Sequence, residues 1–194
     1  MTEERAGLPI IAFKDLTALE HWLKAQPASS PGVWIKFAKA GSGIPSVSKS
    51  EAIGAALCYG WIDGQLDKYD DAHWLIRFTP RRARSKWSQV NQARAAELLR
   101  AGRMRAGGMA QIEAAKADGR WEAAYPSASK AKVPPDLQSA LHQNPEAAAF
   151  FATLTGANRY AILYRIGAVK KPETRARKIA DFVVMLERHE TVHG

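Results

Sequence analysis

The residues best equipped for chemistry in this 194-residue chain sit in one short run, PRRARSKWSQVN, at 80–91. Arg81, Arg82 and Lys86 supply cations, and a guanidinium fork grips phosphate or carboxylate through two parallel hydrogen bonds. Ser85 and Asn91 add polar groups, while Ser88 is placed to cap a helix whose first N–H groups favour an anion. Trp87 offers a flat face for stacking or cation–π contact. Upstream, in GWIDGQLDKYDD, Trp61 adds a second indole and Asp63 a carboxylate suited to pairing with Arg81 or Arg82. Together these side chains point to the binding of an anionic ligand.

Other chemistries find less support. Asp63, Asp67, Asp70 and Asp71 form the one local acidic cluster. On a regular strand Asp63 and Asp67 share a face at roughly 13 Å, too far for a shared proton or a glycosidase pair. Asp70 and Asp71 are turn formers. The five histidines are scattered, and only His189 and His193 fall at helical spacing, without a third ligand. No GxSxG, GKS or GxGxxG element is present, and Gly107-Gly108 reads as a helix start. Ser85 and Ser88 have no base beside them in sequence. The pattern therefore calls for no catalytic set, no metal and no cofactor.

The elements that must position the candidate residues follow from periodicity. KDLTALEHWLKAQP predicts a helix, with Thr17 and Glu20 as a capping box and Leu16, Leu19 and Leu23 on one face. In GVWIKFAKA, Val33, Ile35 and Phe37 alternate with Trp34, Lys36 and Ala38, the pattern of a half-buried strand. Ser48 and Glu51 open a second helix that Gly60 ends. WIDGQLDKY and WLIRFT predict a hairpin through Asp70-Asp71, with Trp74, Ile76 and Phe78 on one face and Gly64 marking a bulge. Beyond Pro80 the chain is predicted helical. Ser88 caps a helix with Ala95, Leu98 and Leu99 inward, Glu97 and Arg100 outward, and Gly102 past its end. Another helix covers 107–118. YPSASKAKVPPD has the composition of a linker, and Pro145 and Pro172 suit the first turns of later helices.

Composition supports this reading. Apolar residues make up 46% of the chain, enough for a buried core. The lone cysteine, Cys58, excludes an internal disulfide and lies in an apolar helical pattern. No apolar run reaches the length of a membrane span and no signal-type segment opens the chain, so the cytoplasm is the expected compartment. The net charge is +9. Residues 81–105 hold Arg81, Arg82, Arg84, Lys86, Arg94, Arg100, Arg103 and Arg105 against Glu97 alone, which places +7 of that charge in one stretch. Such a stretch attracts polyanions, phosphates or an acidic partner surface.

Several long motifs carry a resemblance. EAIGAALCYGWIDGQLDKYDD, RFTPRRARSKWSQVNQARAAELLRAGRM, EAAKADGRW, VPPDLQSAL and KKPETRARKI resemble the YdeI/OmpD-associated, or bacteriocin-protection, family, in order over nearly the whole chain. The resemblance implies a bacterial role in antimicrobial-peptide resistance and envelope stress, with a porin partner, and brings no catalytic residues with it.

The expectation is thus an α+β protein: a small antiparallel sheet flanked by helices in a domain at 1–130, then a helical OmdA-like domain at 131–194. Its predicted function is non-enzymatic binding of an anionic ligand or acidic protein surface in stress resistance. A nucleic-acid-binding protein, with Trp87 or Trp61 stacking on a base, and a small-molecule enzyme with an Asp63/Trp pocket are the alternatives.

Overall fold

The computed structural model describes residues 3–193, which divide into two compact units, 1–124 and 125–194. The division falls a few residues before the expected boundary. The first unit is a five-stranded sheet with four helices, and the second is helical.

The sheet strands are β1 (Glu4–Arg5), β2 (Leu8–Ala12), β3 (Val33–Ala38), β4 (Trp61–Lys68) and β5 (His73–Pro80), in the order β1-β2-β3-β5-β4. It is α+β as expected, but the sheet is mixed rather than antiparallel. β2 runs parallel to β3, because the helix α1 (Leu16–Ala25) carries the chain back between them. The remaining pairs are antiparallel. β1 and β2 have no counterpart in the sequence reading: LPIIA is short, begins a turn after two charged residues, and pairs with the two-residue β1 on one side and the distant β3 on the other.

α1 begins one residue after Asp15, whose carboxylate accepts the Ala18 N–H at 2.8 Å. The expected Thr17/Glu20 box is not the cap; Asp15, two residues earlier, satisfies the exposed N–H. α2 (Lys49–Cys58) has the Ser48/Glu51 capping box as read from sequence, with both reciprocal bonds present. One sheet face packs Val33, Ile35, Phe37, Ile76, Phe78 and Trp61 against Leu19 and Leu23 of α1 and the alanines of α2. The opposite face holds Trp34, Leu75 and Leu8.

The bulge at Gly64 changes which residues share a face. Asp63 pairs with Phe78, whereas Leu66 pairs with Ile76, so β4 contains one residue more than β5 over this stretch. Asp67 then lies opposite Leu75, on the face away from Asp63, and its carboxylate is 3.0 Å from Arg5. The same-face expectation for Asp63 and Asp67 holds only for an unbroken strand.

Beyond β5, α3 (Gln89–Arg100) and α4 (Ala106–Ala117) pack against α2. Gly107 and Gly108 start α4 where it meets the end of α2: a Cβ on Gly108 would lie 2.5 Å from the carbonyl oxygens of both Leu57 and Cys58. Among these residues sits a separate apolar cluster of Leu57, Cys58, Trp87, Ala95, Leu98, Ile112 and Ala115. The second unit comprises a 3-10 turn (Ala128–Lys130) and four helices, α5 (Pro135–His142), α6 (Pro145–Thr153), α7 (Gly156–Gly167) and α8 (Pro172–Glu187). Its core is Leu137, Leu141, Phe151, Ile162, Ile166, Ile179, Phe182, Leu186 and their neighbours.

Candidate functional site

The connector from β5 to α3, residues 81–88, is held by its own backbone and side chains. The Arg81 N–H donates to the Gly60 carbonyl at 2.9 Å, tying the connector to the turn before β4. A tight turn follows, in which the Ser85 N–H donates to the Arg82 carbonyl at 2.9 Å and the Arg82 N–H to Ser85 Oγ at 3.0 Å. From sequence distance, Arg120 reaches in: its Nη1 donates to the Ser85 carbonyl at 3.0 Å, while its Nε meets the Asp118 carboxylate at 2.7 Å. Ser88 caps α3, its hydroxyl accepting the Asn91 N–H at 3.1 Å.

Within this frame the candidate residues separate into an inner and an outer group. Arg81 is 5% exposed; its Nη1 donates to the Lys86 carbonyl at 3.1 Å and its guanidinium carbon lies 3.7 Å from the centre of the Trp87 ring. Trp87 is 2% exposed, stands 4.8 Å from Trp121 and fills the apolar cluster behind α3. Ser88 is buried, and Ser85 and Asn91 are half-buried. Arg82 and Lys86 face solvent, as does Arg84. Trp61 is elsewhere, 3% exposed in the sheet core and edge-on to Trp22 at 5.6 Å. Asp63 is half-buried on β4, and among the described residues no ion pair joins it to Arg81 or Arg82.

The other cations of the +7 stretch lie along and beyond α3. Arg94 Nη2 donates to Ser50 Oγ at 3.4 Å, and Arg103 pairs with Glu20 at 2.9 Å. Arg100, Arg103 and Arg105 are exposed near the end of α3, whose 12 residues span about 18 Å, whereas Arg82, Arg84 and Lys86 precede its first turn. The basic stretch is therefore a surface with two ends and not one pocket. The α3 N-terminus adds its positive dipole end to the first of them. Arg120 was missed from the sequence, since nothing local ties it to the connector; the Arg120–Asp118 spacing alone gives no sign of a bond to Ser85.

Potential metal ligands do not assemble: among the described residues no group of three or more His, Cys, Asp and Glu side chains is placed to hold an ion. His189 instead stacks on Phe150 at 4.8 Å and approaches Glu146 at 3.2 Å. Burial pushes the Cys58 thiol above its ordinary range, away from the reactive thiolate. Among the described residues no helix is long and apolar enough to cross a membrane.

With this geometry in place, residues 11–111 match the model of a family described as a domain of unknown function, DUF8412. The chain belongs to that family. Residues 130–189 match a second family model, described as Bacteriocin-protection, YdeI or OmpD-Associated (OmdA). The resemblance read along the chain thus resolves into a DUF8412 segment, which holds the sheet, the connector and α3, and an OmdA segment made of helices. The OmdA match suggests a role associated with bacteriocin protection. No curated protein matches the chain. No solved structure matches it either.

Proposed function

We propose that the protein acts by binding rather than by catalysis, and that the DUF8412 segment presents a basic surface along α3 to anionic partners in a bacteriocin-protection role. One observation carries the reading: Arg82, Arg84, Lys86, Arg100, Arg103 and Arg105 are all exposed around one helix whose sole acidic residue is Glu97. Lys and Arg concentrated on one surface raise the local concentration of anions and speed their encounter. Arg81, Trp87 and Ser88 serve this surface from beneath, fixing the connector that displays Arg82 and Lys86. A nucleic-acid reading keeps the same cations but loses its stacking platform, because Trp61 and Trp87 are both buried.

Titration of the full chain with inorganic polyphosphate tests the proposal. Binding is expected to weaken steeply as salt rises, and to fall about tenfold or more in an Arg82→Glu, Arg84→Glu, Lys86→Glu variant of unchanged thermal stability. Undiminished binding in that variant, or none by the parent at low salt, would remove the reading.

A further inference from the structure

β4 is an edge of the sheet: it pairs with β5 on one side, and among the described residues no strand lies on the other. Gly64, Gln65 and Leu66 are exposed there, and Leu66, at 56%, is the most exposed of the large hydrophobic residues described. An open edge is a template for a further strand, and charges or a bulge usually protect it. Where those features fall therefore decides what pairs with it.

The bulge at Gly64 sets the placement. Cross-strand partners point to one face, so Asp63 opposite Phe78, Leu66 opposite Ile76 and Lys68 opposite Trp74 all lie on the face that packs Phe37, Ile76 and Phe78. On an unbroken strand Asp63 and Lys68, five residues apart, would lie on opposite faces. The extra residue brings them to one face with Leu66 midway, two steps of β5 from each. Asp67, on the other face, is already paired with Arg5.

From this register we infer that β4 pairs with β4 of a second copy of the chain, antiparallel and about a two-fold axis at Leu66. A strand that carries acid, apolar and basic side chains at equal steps is its own antiparallel complement. With Leu66 opposite its counterpart, Asp63 of each copy falls opposite Lys68 of the other, because every contact in such a pair occurs twice. One apolar contact is then flanked by two pairs of opposite charge, which stabilise a sheet where like charges would oppose it. The neighbouring registers lose the match: one sets Asp63 against Leu66, and the other sets Asp67 against itself. This self-complementarity selects a second copy over an unrelated extended peptide.

Sedimentation velocity of the full chain over a concentration series tests the inference. The expected result is a reversible passage from monomer to dimer as concentration rises. Leu66→Lys sets two like charges at the axis and is expected to weaken dimerisation about tenfold or more at unchanged thermal stability. Lys68→Asp alone, and Asp63→Lys alone, set like charges against each other at both ends and are expected to weaken it similarly. Mixing these two variants restores opposite charges at both ends, so a one-to-one heterodimer of near-parent affinity is expected. Leu66→Lys and Lys68→Asp alter only exposed side chains, so their outcome stands whatever Asp63→Lys does to stability. A parent that stays monomeric throughout the series, or dimerisation untouched by Leu66→Lys or by Lys68→Asp, would overturn the assignment. So would folded single variants that associate no better mixed than apart.

Discussion

The guanidinium carbon of Arg81 lies over Trp87, 3.7 Å from the ring centre, and its Nη1 donates to the Lys86 carbonyl. Arg82, the next residue, points to solvent. One cation of the RRAR run is thus part of the interior, and its neighbours are part of the surface. Desolvated cation–π contacts are worth about 2 kcal/mol, and removing a buried cation also leaves the indole and the Lys86 carbonyl without that contact.

Arg81→Ala is therefore expected to lower unfolding free energy by about 2 kcal/mol or more and to shift Trp87 emission to the red. Arg82→Ala is expected to stay within about 0.5 kcal/mol of the parent. Chemical denaturation followed by tryptophan fluorescence measures both; equal effects would mean that Arg81 does not hold the connector.

Gly108 marks the tightest approach of α4 to α2, where an added methyl would lie 2.5 Å from two carbonyl oxygens. Gly108→Ala should destabilise the first unit by about 1–3 kcal/mol despite the better helix propensity of alanine. Gly119→Ala meets no such crowding, but its φ of +78° imposes backbone strain instead. A stabilised Gly108→Ala in thermal melts would contradict the packing described.

In the second unit Arg175 grips Asp136 with Nε and Nη2 and donates from Nη1 to the Ile166 carbonyl at 2.7 Å. The hydrogen bond from Arg175 holds the Asp136 carboxyl below its ordinary range. A carboxylate with a depressed folded pKa contributes above its unfolded pKa, and that contribution is lost as pH falls through the folded value. Because the pair is largely solvated, Asp136→Asn should cost about 0.5–1 kcal/mol at neutral pH, with the difference from the parent closing in acid. Melting temperatures across that range decide it; a gap that persists at the lowest pH would assign the effect to packing.

Ser88 gives α3 its cap and buries its hydroxyl at the end of the connector. Ser88→Ala is expected to cost about 1 kcal/mol, and Ser88→Asp to keep the cap while adding a negative charge at the end of the connector that carries Arg82 and Lys86. On the proposed function, the aspartate variant retains stability but binds polyphosphate more weakly than the parent. Equal affinity would count against an anion site at this end of α3.

Local pattern made much of this molecule legible. Alternation in β3, the hairpin through Asp70-Asp71, the bulge at Gly64, the Ser48/Glu51 box and the close of α3 before Gly102 all depend on residues within a few positions of one another. The charge stretch at 81–105 was equally plain, as were the motifs that carry the family resemblance. Tertiary structure decided the rest. β2 enters the sheet through a parallel partner, β3, that lies beyond α1, Asp63 and Asp67 part company only once the bulge has set the register, and Leu99 faces outward because others fill the cluster first. Above all, Arg81 and Arg82 are identical in the sequence. Which of them enters the interior depends on Trp87 being seated among α2, α3 and α4, an arrangement made by contacts that no local window contains.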